Sequence, residues 1–372
     1  MKIKISSFLA AFGVFTAVFF ASCGDDNTGI FYRLSHMEKI EDNSLNNSLT
    51  IGGMCELGGR YYIAAGRIYR RSTASGSIWE EVPSPRGYQL CFDLVTDGTR
   101  LFAAYFNRNS GDKRLFSDDG TGSGIWTLQN DSDISGRNVE NLKITSNNRV
   151  FLSVKNSGSD DYYVFNGAAG ASINFTPCSI KLPDTNSTFF DVTLDGATYW
   201  LATDKKVYSG NNPDSLASGF KPSGGDKFCG IFRSSLDSNN SIFLTSRNKK
   251  IYARNGGSWG NSDSLNFYPN DIGEIDRGGG DMVIVIGTEG KGYLEQRFSG
   301  GTVDRNALDF RWPSSSYSYA ADAGFVSYEL QYSVITGFYT GSSNRVFALT
   351  AGEGLWRNEP NPSLGSRKWS HE

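Results

Sequence analysis

The stretch Asn344-Arg-Val-Phe-Ala-Leu-Thr-Ala-Gly-Glu-Gly-Leu-Trp-Arg357 decides the fold. It predicts one strand over Arg345–Leu349 and a second over Leu355–Arg357, because β-branched and aromatic residues favour strands. The Thr-Ala-Gly-Glu-Gly segment between them supplies glycines, which adopt the positive φ angles of a tight turn. A third strand, with a tryptophan, follows at Lys368–Ser370. This stretch therefore predicts a small antiparallel sheet.

Degenerate copies of this hairpin recur along the chain at intervals of about 47 residues. Four short antiparallel strands in each repeat of this length are typical of a propeller blade. The sequence therefore predicts an all-β protein, a β-propeller of seven four-stranded blades over residues 50–372. The longest interval, before the last hairpin, has room for an eighth blade. The hairpin centres are Tyr62, Phe102, Phe151, Trp200, Phe243, Ile284 and Phe347.

The closure of the ring is left open by the sequence. Ile30–Leu34 has the composition of an extra outer strand without inner strands of its own. If it pairs with the last blade, it closes the ring and leaves Trp369–His371 as an added edge.

The N-terminus predicts export. Lys2 and Lys4 precede an uncharged, mostly apolar run over Phe8–Ala21, which has the length of a signal-peptide core. Small residues then lead directly to Cys23, and this arrangement resembles a bacterial lipobox; the resemblance implies cleavage between Ser22 and Cys23 and lipidation of Cys23. The alternative is an ordinary secretory signal with an incidental cysteine. The predicted domains are a signal peptide (1–22), a lipid-anchored tether (23–49) and the propeller (50–372).

Composition excludes several function classes. The chain of 372 residues has a formal net charge of −3, which argues against nucleic acid, because such partners normally require a basic face. No run of Lys or Arg marks a headgroup-binding patch. No cofactor or metal site is predicted, since no phosphate loop or Cys/His spacing is present. Cys55, Cys91, Cys178 and Cys229 permit two disulfides in three connectivities, and Cys55–Cys91 is the pair to test. The alternative is that they are buried free thiols.

Two family resemblances follow from these residues. Phe20-Ala21-Ser22-Cys23 resembles a bacterial lipobox, with Phe20 where that family most often has Leu. Gly287–Tyr293, Thr350–Trp356 and Ser117–Gly120 followed by Trp126 resemble the Asp-box and assembly-factor-like propeller repeats. The whole chain is similar to propeller lipoproteins of spirochaetes such as treponemes. This resemblance implies a protein exported and lipid-anchored to a bacterial membrane, on the periplasmic face or the outer surface.

No catalytic set is recognisable. The only histidines are His36 and His371, and the nucleophile elbow of serine hydrolases is absent. Some Asp-box propellers are sialidases, and Tyr32–Ser35 faintly resembles their first arginine segment. The paired acids Asp118-Asp119, Asp160-Asp161 and Glu80-Glu81 are predicted to be solvated surface. Asp131 and Asp133 lack the full ligand series of a calcium loop.

The sharpest candidate for binding is the insertion before the last hairpin. Tyrosine and serine together offer rigid amphipathic area and adaptable hydrogen bonding, and long propeller loops often carry function. The alternative is that these tyrosines belong to strands of an enlarged blade. The candidate residues are Tyr317, Tyr319, Tyr328 and Tyr332.

Together these features predict a membrane-anchored lipoprotein whose propeller is a non-enzymatic binding or scaffold module for a protein partner in the envelope. The alternative is a propeller that binds or hydrolyses glycans.

Overall fold

A computed structural model shows an all-β protein. The chain divides into two units, Met1–Lys39 and Ile40–Glu372, and the described residues belong to the second. No helix in the described part of the chain has the length and apolar character needed to cross a bilayer. The structure describes residues 45, 48–74, 77–156, 162–181, 189–221, 225–255, 257–260, 263–276, 282–299, 301–303, 308–310, 330–342, 345–361 and 366–372.

The described residues form 28 strands and two short 3-10 turns, Pro213–Ser215 and Leu330–Tyr332. By sheet, the strands are β1 Gly53–Leu57, β2 Arg60–Ala65, β3 Arg67–Ser72 and β4 Glu80–Val82; β5 Leu90–Thr96, β6 Leu101–Phe106, β7 Lys113–Asp118 and β8 Trp126–Leu128; β9 Arg137–Thr145, β10 Arg149–Asn156, β11 Tyr162–Ala168 and β12 Thr176–Lys181; β13 Phe189–Asp195, β14 Thr198–Thr203, β15 Val207–Gly210 and β16 Ala217–Ser218; β17 Phe228–Arg233, β18 Ile242–Ser246, β19 Lys250–Asn255, β20 Ser258–Trp259 and β21 Asp263–Ser264; β22 Pro269–Asp276, β23 Met282–Thr288 and β24 Tyr293–Arg297; and β25 Ile335–Thr340, β26 Val346–Thr350, β27 Leu355–Asn361 and β28 Ser366–His371.

These strands make seven antiparallel sheets, numbered here as blades 1 to 7, in which strands adjacent in sequence pair with each other. Blade 5 differs in that both β20 and β21 pair with β19, and blade 6 has three strands among the described residues. The first strand of each blade contacts the first strand of the next, and β25 of blade 7 contacts β1 of blade 1. The ring therefore closes, and the predicted seven-bladed β-propeller is confirmed.

The core lies between the blades. Seven hydrophobic clusters each combine residues of two neighbouring blades, one cluster for every interface of the ring. All seven predicted hairpin centres lie on the second strands of their blades and are buried. At the closing interface, Tyr61 of blade 1 meets Phe347 of blade 7 edge to face, with ring centroids 4.9 Å apart. Burial of both faces of each sheet thus requires the complete ring.

The last blade corrects one expectation from the sequence. β28 pairs with β27 along its whole length, so Trp369–His371 belongs to the fourth strand of blade 7 and is not an added edge. The reason is packing: Trp369 is fully buried, and its Nε1 donates to the Tyr293 hydroxyl over 3.1 Å. Ile30–Leu34, the other candidate for closing the ring, lies outside the described residues.

The four internal cysteines are free thiols. Cys55 and Cys91, the pair singled out from the sequence, occupy the first strands of blades 1 and 2 and share one hydrophobic cluster without forming a disulfide. Burial raises the pKa of both thiols, so they behave as small apolar core residues.

Candidate functional site

The first strands of the blades share one irregularity, and the residues that follow it form a ring around the propeller axis. In blades 2 to 7 the pairing of the first with the second strand shifts its register near one end, as at a β-bulge. Gly53 holds the equivalent position in blade 1, where it pairs with Ala64. In blade order, the ring positions are occupied by Gly53, Asp93, Asn141, Asp191, Gly230, Asp271 and Gly337.

Each aspartate of this ring joins its blade to the next one. Asp93 Oδ2 accepts the backbone N–H of Leu142 in blade 3 over 3.1 Å. Asp271 Oδ2 accepts the N–H of Phe338 in blade 7 over 3.0 Å, and the Asp191 carboxylate accepts that of Ile231 in blade 5. The same carboxylate contact therefore recurs at three of the seven interfaces.

Two more side chains complete the ring. Asn141 Nδ2 donates to the Phe189 carbonyl of blade 4 over 3.1 Å. Lys143 lies two residues further along β9, so its side chain projects to the same side of the strand as Asn141. The Lys143 Nζ is 4.0 Å from Asp191 Oδ1, and its charge also acts on Asp93 and Asp271. Among the described residues, Asp93, Asp191, Asp271 and Lys143 thus bring three carboxylates and one ammonium group together at the centre of the ring, which is called the channel below.

This arrangement makes the carboxylates hard to ionise. Burial raises the pKa of Asp93 to about 6 and that of Asp271 to about 6, although Lys143 and backbone N–H groups oppose the change. The pKa of Asp191 is raised by the same cause. The three aspartates raise the pKa of Lys143, with Asp191 contributing most. The Lys143 side chain is nevertheless 38% exposed, so the channel admits water and screens these interactions.

The chemical consequence is a site with excess negative charge. At neutral pH one ammonium balances only part of the charge of three carboxylates, and each carboxylate retains acceptor capacity beyond its backbone bonds. The complement is a cationic group such as a guanidinium or an alkylammonium. In the described part of the chain, no group of three or more His, Cys, Asp or Glu side chains is placed to hold a metal ion.

The residues predicted from the sequence lie elsewhere. Ser22, Cys23, Tyr317, Tyr319 and Tyr328 fall outside the described residues. Tyr332 ends the 3-10 turn before β25, and its ring is 6.0 Å from the Lys291 Nζ. It therefore sits on the surface of the ring and does not join the channel cluster.

The other acids weighed from the sequence have structural roles where they are described. The prediction of solvated surface is wrong for Asp118, which is buried because its carboxylate accepts the N–H groups of Gly120 and Gly122 and so shapes the turn before β8. Glu80 and Glu81 face arginines of β3 at the surface. Asp131 Oδ1 accepts the N–H of Asp133 within one loop. Asp160 and Asp161 lie outside the described residues.

Sequence reasoning missed the channel residues, although a signal was present. Alignment of the first strands, rather than of the hairpins, places an acidic or amide residue directly before an apolar residue in four blades. These dipeptides are Asp93-Leu94, Asn141-Leu142, Asp191-Val192 and Asp271-Ile272.

Comparison with solved structures supports the fold. YCF48 bound to D1 peptide superposes with a TM-score of 0.53 at 11% identity, over 87% of this chain and 97% of that chain. Raptor from Chaetomium thermophilum gives a TM-score of 0.50 at 14% identity, over 88% of this chain and 28% of that chain. Prolyl oligopeptidase B from Galerina marginata gives a TM-score of 0.48 at 11% identity, over 68% of this chain and 40% of that chain.

Together with the seven sheets, the first two likenesses define the class of protein, a seven-bladed β-propeller, and they go no further than the fold. No protein-family model matches the sequence. No curated protein matches it significantly either.

Proposed function

We propose that this protein is a lipid-anchored binding protein of the bacterial cell envelope. Its propeller accepts a basic side chain of a protein partner at the channel and catalyses no reaction. The observation that carries this proposal is the cluster of Asp93, Asp191 and Asp271 around a single Lys143, whose charge is only partly balanced.

The energetics of the channel favour binding of a cation. Carboxylates with a raised pKa are costly to keep ionised at neutral pH, and perturbed groups of this kind concentrate at functional sites. An arriving guanidinium or ammonium offsets that cost, because it supplies the missing opposite charge. The solved propeller YCF48 holds a D1 peptide, which is a precedent for peptide binding on this fold.

The anchor rests on the lipobox-like sequence before Cys23. One acyl chain binds a membrane only marginally, whereas two or more give a stable attachment. The test is metabolic labelling with a radioactive fatty acid. Wild-type protein should be labelled and Cys23→Ala should not, and equal labelling of both would refute the anchor.

The partner site is tested by affinity capture from detergent-solubilised envelope. The triple variant Asp93→Asn/Asp191→Asn/Asp271→Asn removes the channel charge but retains carbonyl oxygens as acceptors. A control, Glu80→Gln/Glu81→Gln/Asp133→Asn, removes the same charge from exposed positions. The partner should be retained by the wild type and the control and lost by the channel variant. Equal capture by all three would contradict the proposal.

One observation favours a second candidate, a glycan-active propeller. Carboxyl groups with a raised pKa resemble the general acids of glycoside hydrolases. The excess negative charge disfavours acidic sugars such as sialic acid, so neutral glycosides are the substrates to test. Turnover of any of them that Asp271→Asn abolishes would establish this candidate in place of the first.

A further inference from the structure

The basic residues described below lie on one face of the propeller. Because the first two strands of a blade are antiparallel, the start of the first strand and the turn between the second and third strands lie at the same end. Backbone bonds at this end include Glu289 N to Tyr268 O and Gly292 N to Ser333 O. This end of the ring, where first strands begin, is called the upper face.

On blades 4 to 6 the upper face is basic. Its basic residues come from four segments that are far apart in sequence, which is why no long run of lysines is visible there. Lys250 is paired with Asp226 over 2.9 Å and contributes no excess charge. The acids nearest in sequence to the others are Asp204 and Asp226, which are buried, and Glu289. The basic residues of this sector are Lys205, Lys206, Lys227, Arg247, Lys249 and Lys291.

Two lysines of this sector lie over exposed tyrosines. The Lys249 Nζ is 4.5 Å from the ring centroid of Tyr268, and the Lys291 Nζ is 6.0 Å from that of Tyr332. The tyrosines are 48% and 47% exposed. In both cases a turn of one blade supplies the lysine and the next blade supplies the tyrosine.

Lys249 is also held in a strained backbone conformation. Its φ is +59°, in the left-handed region that favours glycine or asparagine. The other non-glycine residues with positive φ in the described part of the chain are both asparagines, Asn148 and Asn240. A lysine at such a position costs stability, which points to a role for its side chain.

The propeller chain starts on this same face. The N–H of Gly354, in the turn between β26 and β27, donates to the Leu49 carbonyl over 2.9 Å. Cys23 precedes Leu49 by 26 residues, a length that spans at most roughly 90 Å when fully extended.

We propose that the basic sector of the upper face docks on an anionic lipid surface. This inference rests on the lipid anchor of the proposed function, which would keep the upper face within reach of the bilayer. Lysines near a membrane gain from its negative surface potential, and tyrosines favour the headgroup region. An acyl anchor and a basic patch are two signals that act together.

The test measures binding of the full chain to lipid vesicles by co-sedimentation. All samples carry Cys23→Ser to remove the acyl group, so the common N-terminus contributes equally to each of them. Vesicles of phosphatidylcholine alone are compared with vesicles containing phosphatidylglycerol. Lys249→Gln should weaken the preference for anionic vesicles about fivefold, and Lys249→Gln/Lys291→Gln about 25-fold.

A matched control removes one positive charge from the opposite face. Arg60 is exposed at the start of β2, beside the turn between β1 and β2, so Arg60→Gln should leave the preference unchanged. A second variant, Lys249→Gly, separates loss of the charge from loss of the fold, because glycine adopts this φ freely. This variant should bind vesicles as weakly as Lys249→Gln, and its Tm should not be lower than that of the wild type.

Two results would overturn the inference. One is equal binding of wild-type chain to both kinds of vesicle. The other is an equal loss in Arg60→Gln and Lys249→Gln. Loss of the captured envelope protein in the double lysine variant, with vesicle binding unchanged, would assign the sector to an acidic protein instead. Fatty-acid labelling of Cys23 is a separate readout, so failure of the anchor is distinguishable from failure of the docking face.

Discussion

Arg71 Nη2 donates to Glu372 Oε1 over 2.7 Å, and this contact joins the first blade to the end of the chain that completes the last blade. Arg357 of blade 7 approaches the same oxygen at 2.7 Å. The side chains of Arg71 and Glu372 are 1% and 0% exposed. Burial lowers the pKa of Arg71 and Glu372 opposes this, so the carboxylate is what makes two buried guanidinium groups tolerable.

Glu372→Gln should therefore destabilise the propeller strongly. Removing one partner of a buried ion pair leaves uncompensated charge and typically costs about 3–5 kcal/mol. Urea denaturation followed by tryptophan fluorescence gives the free energy of unfolding. The control Glu81→Gln breaks an exposed pair with Arg67 on blade 1 and should cost less than about 1 kcal/mol. Similar costs for the two variants would show that the closing contact is not buried in solution.

The raised pKa values in the channel predict a dependence of stability on pH. Asp93 and Asp271 have a pKa of about 6 in the folded protein and about 4 when unfolded, so the folded state binds more protons between these values. Their contribution to stability is present below pH 4 and is lost as the pH rises to 6. Asp271→Asn should thus stabilise the protein at pH 8 and have little effect at pH 4.

Lys143→Met should have the opposite effect at pH 8, because it leaves three carboxylates without a counter-ion. Denaturation curves of both variants at the two pH values check these signs. Equal effects of either substitution at pH 4 and pH 8 would contradict the electrostatic account of the channel.

The contact between blades 1 and 2 predicts a steric effect at Gly52. A Cβ atom there would lie 2.1 Å from the Phe92 carbonyl oxygen, so the backbones of two blades must separate. Gly52→Ala should cost about 3 kcal/mol, at the upper end for overpacking. Gly58→Ala, in an open turn with φ +58°, meets no neighbour and should cost only about 1 kcal/mol. Thermal unfolding ranks the two, and the reverse order would exclude the close approach of β1 to β5.

The free thiols make a prediction for chemical labelling. Burial raises the pKa of Cys178 to about 12 and that of Cys229 to about 11, and it also raises the pKa values of Cys55 and Cys91. In the native protein at pH 7, a water-soluble maleimide should therefore label these four cysteines slowly. In denaturant without reductant, all four should be labelled, as counted by peptide mass spectrometry. Protection of Cys55 and Cys91 in denaturant would reveal a disulfide instead.

The sequence was sufficient for the blades because each hairpin repeats a local pattern. Residues such as Phe102, Phe151 and Phe243 are fully buried at the centres of second strands, and their spacing sets the number of blades. Closure of the ring was not predictable in the same way. It depends on the pairing of β28 with β27 and on the buried contact of Glu372 with Arg71. Neither contact is repeated from blade to blade, so neither produces a periodic pattern in the sequence.

The candidate site was harder to predict for a physical reason. Asp93, Lys143, Asp191 and Asp271 are far apart in sequence and meet only because their strands surround one axis. A single acidic residue in a strand is common, and whether its side chain faces the propeller axis depends on its position relative to a bulge that the sequence does not reveal. The lysines of the upper face are likewise scattered over several turns, so composition alone gave no sign of the patch.

The central claim is that channel carboxylates hold a cationic group of a protein partner. The most direct test is retention of the captured envelope partner as the pH is lowered from 7.5 to 4.5. Asp93 and Asp271, whose pKa is about 6, should release the partner as they become protonated. Because the bound cation itself lowers that pKa, half-release is predicted near or below pH 6. Retention by the wild type that does not change over this range would contradict the account. So would a triple variant, Asp93→Asn/Asp191→Asn/Asp271→Asn, that retains the partner at pH 7.5 and releases it at the same pH as the wild type.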